Sequence, residues 1–595
     1  MSKYSAPWRD MRFILQEVIA GDATKGLPAF EEVNDELLVA ILDQAGRFAA
    51  EVLAPLDRVG DQEGCMFKGG EVRTPTGWKE AYKAFCDAGW ASFSMPVVHG
   101  GQGLPKLLAA PVTEMWFSAN MAFSLMPPMA VGSVQALDHA ASEEIRQTYL
   151  PRMVSGEWTA TMDLTEPGAG SDLGAIKTRA ELQPDGSYRL FGQKIFITYG
   201  DHDLAENVVH LVLARIEGAP QGVGGVSMFV VPKFLPSSHG MLGNLNDMRC
   251  ISIEHKLGIH GSPTCTMSYG DEDGAVGLLV GTAGRGIEYM FTVVNESRFN
   301  VGLQGVAQAE KAFQMALEYS RQRRQGRDAV TGEKNVPILR HPDVKRMLLL
   351  MRAYVMAGRM LAYTAAASFD IANGHPDISV SEKHNCLVEL LMPVVKGWGS
   401  EIGIEVAQLS IQIHGGMGFV EETGVAQILR DVRITSIYEG TTAIQANDLV
   451  LRKIIRDKGK SLGVLVDECR GSATECRVQL PELPFADELE RLVLLLECCR
   501  NLVLERAETS VADVLSGAVA LLRLMGTICG AWQLTRASSA ASRLLRANAD
   551  DATYLRGIIE LTEFYFLHVV PQADLNARIL LNGGSCVTRF DDTAF

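Results

Sequence analysis

Residues 187–198 read SYRLFGQKIFIT, and two further runs rich in β-branched and aromatic residues follow, VVHLVLARI at 208–216 and VSMFVVP at 226–232. Gly, Pro and Asp turns separate these runs, as is typical of short strands in a compact all-β domain. On both sides the apolar residues instead recur with the 3.6-residue period of helices. The sequence therefore predicts an α+β fold that is mostly helical, with a central small β-barrel or sandwich.

Helix signals divide the rest of the chain. Asn34 can cap a first helix, Pro342 can open another, and a third is predicted from Lys383 to Ile413. The region after the strands is expected to form a four-helix bundle. Five segments are predicted: an N-terminal extension (1–36), an N-terminal helical domain (37–160), a β domain (161–280), a helical-bundle domain (281–460) and an additional C-terminal helical domain (461–595).

Composition excludes several classes of function. The chain has 595 residues, with 55 Lys and Arg against 71 Asp and Glu, and this net charge of -16 argues against nucleic acid as the main partner. The eleven cysteines form no CxxC pair, so reduced thiols are expected, with neither a disulfide framework nor a metal site. No secretory signal and no uncharged apolar run of about 18 residues is visible, which predicts a cytoplasmic protein without a membrane span.

One carboxylate stands in an apolar setting. Residues 433–445 read RITSIYEGTTAIQ, with Glu439 between Tyr438 and Gly440. The mostly uncharged surroundings predict a buried turn, and burial raises the pKa of a carboxyl group toward the range where it is useful as a base. A single buried glutamate more often only caps a helix, so this pattern alone leaves both interpretations open.

A second informative stretch is LTEPGAGSD at 164–172. Its glycines and proline impose a tight backbone that a ligand can approach closely, and Thr165 and Ser171 offer hydroxyl groups. Such a loop suits a phosphate or a flat heteroaromatic ring, although an ordinary turn at a domain entry is the alternative. The motif is not GxGxxG and no βαβ unit surrounds it, which excludes a Rossmann domain.

Together with these two stretches, three others complete a resemblance to the acyl-CoA dehydrogenases. The matching segments are LTEPGAGSD, GQKIFIT (192–198), EHKLGIHGSPT (254–264), QIHGGMGF (412–419) and IYEGTT (437–442). The resemblance covers roughly residues 37–455, and the extension and the tail are similar to those of longer bacterial members, which act on fatty acyl-CoA and 3-methylthiopropionyl-CoA. It implies FAD-dependent conversion of an acyl-CoA thioester to the trans-2-enoyl-CoA. Glu439 would take the α-proton, the β-hydride would go to flavin N5, and electron-transfer flavoprotein would accept the electrons.

The resemblance also implies ligand contacts. The expected FAD contacts are Leu164, Thr165, Gly170, Ser171, Phe196, Thr198, Arg323, Gln412, Gly415, Gly416 and Thr441. The segment from Gln412 to Gly416 is expected to reach the FAD of the adjacent subunit, with Arg323 near its pyrophosphate; a solvated helix end is the alternative for Arg323. The expected substrate contacts are Ser171, Asn295, Arg298, Tyr438 and Gly440.

Other choices remain open at the level of sequence. Some relatives place the base at the position of Ser297, which cannot serve as one. An acyl-CoA oxidase using oxygen, and a non-catalytic flavoprotein that assists assembly, share the expected fold. Medium to long straight acyl chains are expected, with a methylthio-substituted or branched chain as the alternative, because the segment WFSANMAFSLMPPM (116–129) is too adaptable to define a pocket depth. The helical tail favours a homodimer over a tetramer.

Overall fold

The structure is a computed structural model that describes residues 4–19, 24, 26–31, 33–236 and 242–595. Of the predicted extension, residues 1–3, 20–23, 25 and 32 lie outside the described residues.

The α-helices of the described residues are, in chain order, α1 (Trp8–Phe13), α2 (Asp35–Phe48), α3 (Ala54–Glu63), α4 (Trp78–Asp87), α5 (Lys106–Ala119), α6 (Met121–Ser124), α7 (Met126–Ala140), α8 (Glu143–Ser155), α9 (Gly286–Gln322), α10 (Pro342–Gly374), α11 (Ile378–His414), α12 (Val425–Val432), α13 (Thr442–Val450), α14 (Lys460–Gln479), α15 (Phe485–Ala507), α16 (Val511–Ser516), α17 (Ala518–Arg546), α18 (Ala552–His568), α19 (Pro571–Asn582) and α20 (Gly584–Thr588). The strands are β1 (Met66–Lys68), β2 (Glu71–Arg73), β3 (Trp158–Asp163), β4 (Arg179–Leu182), β5 (Tyr188–Thr198), β6 (Asn207–Ile216), β7 (Val226–Pro232), β8 (Phe234–Pro236), β9 (Leu242–Leu245), β10 (Met248–Ile253), β11 (Thr264–Tyr269) and β12 (Ala275–Val280).

These elements form two compact units. The first contains residues 1–46, 105–118 and 298–595, and the second contains residues 47–104 and 119–297. The division falls inside α9, between Ser297 and Arg298. The strands named above therefore belong to the second unit, and α10 to α20 belong to the first.

The strands of the second unit close into a small barrel. Strand β4 pairs antiparallel with β5 and parallel with β6, while β5 pairs with β12, β12 with β7 and β7 with β6. These pairings return to β4, so the sheet has no free edge along this path. Alternate residues of β6 face two cores: Val212 packs with Phe229, whereas Leu211 packs with Trp158 and Leu137. The predicted fold class, mostly helical with a central β-barrel, is confirmed.

Two helices of the first unit approach to backbone contact. A Cβ atom added at Gly305 on α9 would lie 2.1 Å from the carbonyl oxygen of Gly399 on α11, and one at Gly302 would lie 2.4 Å from that of Val395. A Cβ at Gly403 would meet the Gly305 carbonyl oxygen at 2.7 Å. No side chain fits between the helices here, because small residues are what allow such close approach. The relative position of α9 and α11 is therefore closely defined.

The C-terminal helices pack directly against α11. A Cβ atom at Gly526 of α17 would lie 2.2 Å from Cγ of Trp398, and one at Gly397 would lie 2.6 Å from Cδ2 of Leu522. Helix α17 is long and apolar enough to cross a membrane, but 89% of its apolar window is buried inside the protein. It is therefore a core helix of the first unit.

Buried ion pairs join distant segments of the first unit. Arg359 of α10 is fully buried and donates hydrogen bonds to Glu114 of α5 at 2.6 Å and Glu310 of α9 at 2.8 Å. Asp10 of α1 accepts hydrogen bonds from Arg352 at 2.5 and 2.6 Å. Burial disfavours the ionised form of Asp10, yet the guanidinium of Arg352 prevails and lowers the pKa of Asp10 to about 2. The pair of Asp10 and Arg352 therefore remains charged at neutral pH.

The helix signals in the sequence were largely correct. Asn34 accepts a hydrogen bond from the Leu37 N–H at 2.8 Å, and Pro342 is the first residue of α10, as predicted. Helix α11 begins at Ile378, five residues before the predicted start, because the Asp377 carboxylate accepts from the Ser379 N–H and caps it. The hairpin of β1 and β2 was not predicted.

Candidate active site

Glu439 lies in a tight turn directly before α13. Its φ of 56° is in the left-handed region, which is uncommon for residues other than glycine. Helix α11 supports the turn: the Lys396 ammonium donates to the Gly440 carbonyl oxygen at 2.5 Å, and Ser400 Oγ donates to the Thr435 carbonyl oxygen at 2.9 Å. The strained conformation is therefore held by contacts with a helix rather than by its own sequence.

The surroundings of Glu439 change its acidity. Burial of the carboxyl group raises the pKa of Glu439 to about 7, against the opposing charges of Lys396 and Arg298. Arg298 of α9 forms an ion pair with Asp448 of α13 at 3.3 Å. A carboxyl group with this pKa is partly ionised at neutral pH and is strong enough as a base to accept a proton there.

The expectation of a buried turn was wrong in part. Ile437 is 48% exposed, and Thr441 and Ala443 are also exposed. The reason is that the turn contacts α11 mainly through backbone carbonyl groups, which leaves the side chains on the opposite side uncovered. Thr441 caps α13, because its hydroxyl accepts a hydrogen bond from the Ile444 N–H at 3.3 Å.

Tyr438 and Gly440 flank Glu439. The Tyr438 hydroxyl donates to the side-chain carbonyl oxygen of Gln304 on α9. Gly440 has a φ of 89°, and its carbonyl oxygen points toward Lys396. The structure thus brings together four of the predicted residues, Arg298, Tyr438, Glu439 and Gly440, in the first unit.

Buried polar side chains support the glycine-rich turn at 164–172 in the second unit. The buried carboxylate of Glu166 accepts hydrogen bonds from Lys194 Nζ at 2.8 Å and from Thr178 Oγ1 at 2.6 Å. Lys194 Nζ also donates to the Leu164 carbonyl oxygen at 3.0 Å. The exposed side of this turn carries Gly170 and Ser171. A Cβ atom added at Gly170 would meet nothing within 4 Å, so the backbone faces open space.

Strand β5 presents an aromatic ring in the same unit. Phe196 is 59% exposed and has a φ of 61° where the register with β11 shifts. Thr198 pairs with Thr264, and the Ile195 N–H donates to the Thr165 carbonyl oxygen at 2.9 Å. The hydrogen bond joins β5 to the glycine-rich turn. The two segments that carry the FAD contacts predicted for this unit are thus hydrogen-bonded to each other. These contacts are Leu164, Thr165, Gly170, Ser171, Phe196 and Thr198.

A third group of predicted residues lies at the far end of α9. Tyr319 of α9 stacks on His414 of α11, with ring centroids 4.3 Å apart, so Arg323 and the segment Gln412–Gly416 end on the same side of the first unit. Gln412, Gly415 and Gly416 are exposed, and a Cβ atom at either glycine would meet nothing within 4 Å. Arg323 follows Arg298 by 25 positions, which is about 37 Å along a helix.

Asn295 and Ser297 belong to the second unit. Asn295 is exposed on α9. Ser297 is buried, and its Oγ has no hydrogen-bond partner among the described residues. A serine hydroxyl is too weakly basic to replace a carboxylate, so Glu439 remains the candidate base.

Two of these groups of residues fit parts of FAD: the glycine-rich turn with Phe196, and Arg323 with the Gly415–Gly416 segment. An exposed aromatic ring beside hydroxyl groups suits a flat heteroaromatic ring, and open glycine backbones with an arginine suit a diphosphate. Sequence reasoning missed Lys396, Asp448, Gln304, Glu166 and Lys194. The available signal for Lys396 was a single cation inside the apolar run LMPVVKGWG at 391–399.

The fold and the residues that fit FAD indicate a flavin-dependent enzyme. Family models match as follows: acyl-CoA dehydrogenase N-terminal domain at 35–157, middle domain at 161–271 and C-terminal domain at 284–454, and acetyl-CoA dehydrogenase C-terminal like at 467–591. The 3-methylmercaptopropionyl-CoA dehydrogenase of Ruegeria pomeroyi is 42% identical over 599 residues, covering 98% of this chain and 99% of its own. A butyryl-CoA dehydrogenase of Syntrophomonas wolfei is 33% identical, covering 96% of this chain and 95% of its own. The chain belongs to the acyl-CoA dehydrogenase family, whose members are FAD-dependent oxidoreductases acting on a CH–CH bond.

A solved structure agrees with the fold over nearly the whole chain. An acyl-CoA dehydrogenase from Bacillus anthracis complexed with FAD aligns with a TM-score of 0.74 and 22% identity. The alignment covers 98% of this chain and 92% of that one.

Proposed function

We propose that the chain catalyses α,β-dehydrogenation of an acyl-CoA thioester to the trans-2-enoyl-CoA, with Glu439 as the base that takes the α-proton. The observation that carries this proposal is the position of Glu439 in a left-handed turn beside Arg298 and Lys396, with its pKa raised by burial to about 7. An α-proton of a thioester is only weakly acidic, so a base active near neutral pH is what the reaction requires.

Other groups of the chain would stabilise the developing charge and bind the substrate. The backbone N–H of Glu439 can stabilise negative charge on the thioester oxygen as the proton leaves. Tyr438 and Gly440 would shape the site around the acyl group, and Arg298, Asn295 and Ser171 would contact the CoA part. FAD, held by the residues from Leu164 to Ser171 with Phe196, Thr198 and Thr441, supplies the hydride acceptor when bound.

For the substrate we propose a short, straight acyl chain. The two curated relatives above carry names that specify 3-methylmercaptopropionyl-CoA and butyryl-CoA, and both match this chain over more than nine tenths of its length. A methylthio group on a propionyl chain has nearly the length of a pentanoyl chain, so one pocket can suit both. The sequence-based expectation of medium to long chains remains a competing prediction.

Rates of anaerobic flavin bleaching should decide between these chain lengths. We expect 3-methylmercaptopropionyl-CoA and the saturated acyl-CoAs of four to six carbons to bleach the protein at least about tenfold faster than those of twelve to eighteen carbons, since each misfitted methylene costs about 1 kcal/mol or more. A maximum at twelve carbons or longer would refute the short-chain proposal. A protein that stays yellow with every acyl-CoA would refute the dehydrogenation itself.

We propose electron-transfer flavoprotein as the electron acceptor and the cytoplasm as the location. The acyl-CoA oxidase alternative differs in one product. Stoichiometric hydrogen peroxide formed in air, without an added acceptor, would favour the oxidase.

We propose that the chain forms a homodimer. The separation of about 37 Å between Arg298 on α9 and Arg323, the first residue after α9, supports two different ligand sites on one chain. The exposed apolar side chains of Met417, Phe419 and Val420 adjoin the Gly415–Gly416 segment, which suits burial against a second copy. Sedimentation equilibrium is expected to give twice the chain mass of 64.7 kDa. A stable tetramer or monomer would contradict this.

A further inference from the structure

A single cation lies inside the most apolar part of α11. From Leu390 to Val395 the helix is almost wholly buried, and Lys396 follows with no exposed surface. A buried ammonium group is costly unless hydrogen bonds and opposite charge compensate for the lost water. Part of this compensation comes from the turn that contains Glu439 and Gly440, because Lys396 Nζ donates a hydrogen bond to the Gly440 carbonyl oxygen at 2.5 Å.

The charges around Lys396 come from the turn that holds Glu439, from α11 itself and from α9. Glu439 in the turn and Glu401 on α11 favour its protonated form, while Arg298 on α9 opposes it. Arg298 is itself paired with Asp448 on α13. Burial lowers the pKa of Lys396 to about 8, with Glu439 acting in the opposite direction. The Lys396 ammonium and the Glu439 carboxylate therefore each favour the charged form of the other.

Helix α11 has little freedom to move at this point. Gly399 contacts α9 at the backbone, and Gly397 and Trp398 contact α17. The Lys396 side chain thus extends from a backbone fixed on two sides. A donor placed in this way can determine where the Gly440 carbonyl lies, whereas a lysine on a mobile segment would follow the turn.

We propose that Lys396 is a positioning residue for the proton abstraction: its ammonium group fixes the Gly440 carbonyl, and so the left-handed turn that presents Glu439, and its charge stabilises the ionised base. This proposal rests on the proposed function. The competing explanation is that Lys396 only fills space and contributes to stability.

Two substitutions remove the charge of Lys396. Lys396→Met removes its hydrogen bond as well, while Lys396→Gln keeps an N–H donor of shorter reach. Lys383→Met is the matched control, because Lys383 lies on the same helix but pairs with Glu468 at the surface. Flavin content and circular dichroism of the purified holoenzymes establish that each variant is folded.

The pH dependence of flavin bleaching is the first readout. In the wild type the rate should rise with pH through a midpoint near 7, because only ionised Glu439 accepts a proton. Without the cation the pKa of Glu439 rises, so in both Lys396 variants this midpoint should move up by about one to three units. Lys383→Met should keep the wild-type midpoint. Folded Lys396→Met and Lys396→Gln proteins with the wild-type midpoint would overturn the proposal.

A second readout does not depend on turnover. The infrared carbonyl band of the protonated Glu439 carboxyl, identified by its absence in Glu439→Gln, should titrate near pH 7 in the wild type and at higher pH in the Lys396 variants. If no acyl-CoA bleaches the wild type, the proposed function fails while this titration still tests the role of Lys396. If Lys396→Met does not fold, both the bleaching and the infrared titration are measured on Lys396→Gln. A Glu439 carboxyl band that titrates with the wild-type midpoint in this variant would reject the positioning role of Lys396.

Discussion

Replacing Glu439 with glutamine is expected to give a folded, yellow protein that binds acyl-CoA but does not bleach with it. Glutamine has the shape of glutamate and the same backbone demands at a φ of 56°, so the turn should be retained. The amide cannot accept the α-proton, and loss of a general base typically lowers a rate by about 100- to 10,000-fold. Stopped-flow absorbance of the flavin under anaerobic conditions, with 3-methylmercaptopropionyl-CoA or butyryl-CoA, measures this loss.

Glu296→Gln is the matched control for that experiment. Glu296 precedes Ser297, the position where some relatives carry the base, and its loss should leave the bleaching rate within about threefold of the wild type. If Glu439→Gln bleached at the normal rate and Glu296→Gln bleached slowly, Glu296 on α9 would be the base instead of Glu439. Both variants slow in equal measure would indicate a shared structural defect instead.

Replacing Arg359 with methionine is expected to be strongly destabilising. The guanidinium is fully buried between Glu114 and Glu310, and the Tyr363 hydroxyl donates to Glu114 at 2.7 Å. Methionine would leave two carboxyl groups buried without their cation, and breaking such a pair costs about 3–5 kcal/mol. Urea unfolding followed by circular dichroism, at a fixed concentration of free FAD, measures the change in the free energy of unfolding.

Arg346→Met provides the comparison. Arg346 lies on the same helix, and its ion pair with Asp343 at 2.8 Å is solvent-exposed. Exposed pairs contribute about 0–1 kcal/mol, so this variant should unfold close to the wild type. If Arg359→Met also lost less than about 1 kcal/mol, the buried cluster would be contributing far less than its geometry indicates.

Local patterns in the sequence predicted the elements of this fold well. The change from a 3.6-residue period to short β-rich runs marks the barrel, because both periods follow from backbone geometry alone. Asn34 and Pro342 marked helix starts for equally local reasons. Glu439 stood out as the only carboxylate between Arg433 and Gln445, although this pattern alone also allowed a helix-capping role.

Contacts between distant residues could not be predicted in the same way. The partner of Lys396 is a carbonyl group 44 positions away, and the partner of Arg359 on α5 is 245 positions away. Nothing in the neighbourhood of either residue encodes these distances, which depend on how α9, α10 and α11 pack. The backbone contact of Gly305 with Gly399 could not be predicted either. From the sequence alone, each glycine is only a residue with low helix propensity.

The contact of Gly526 with Trp398 links the C-terminal helices to the part of α11 that carries Lys396. Trp398 is two residues from Lys396, and α17 presses on it with no space for even one methyl group. A side chain larger than hydrogen at position 526 would therefore have to displace Trp398. With the role proposed for Lys396, substitutions in α17 would adjust activity from a part of the chain that carries no predicted site residue.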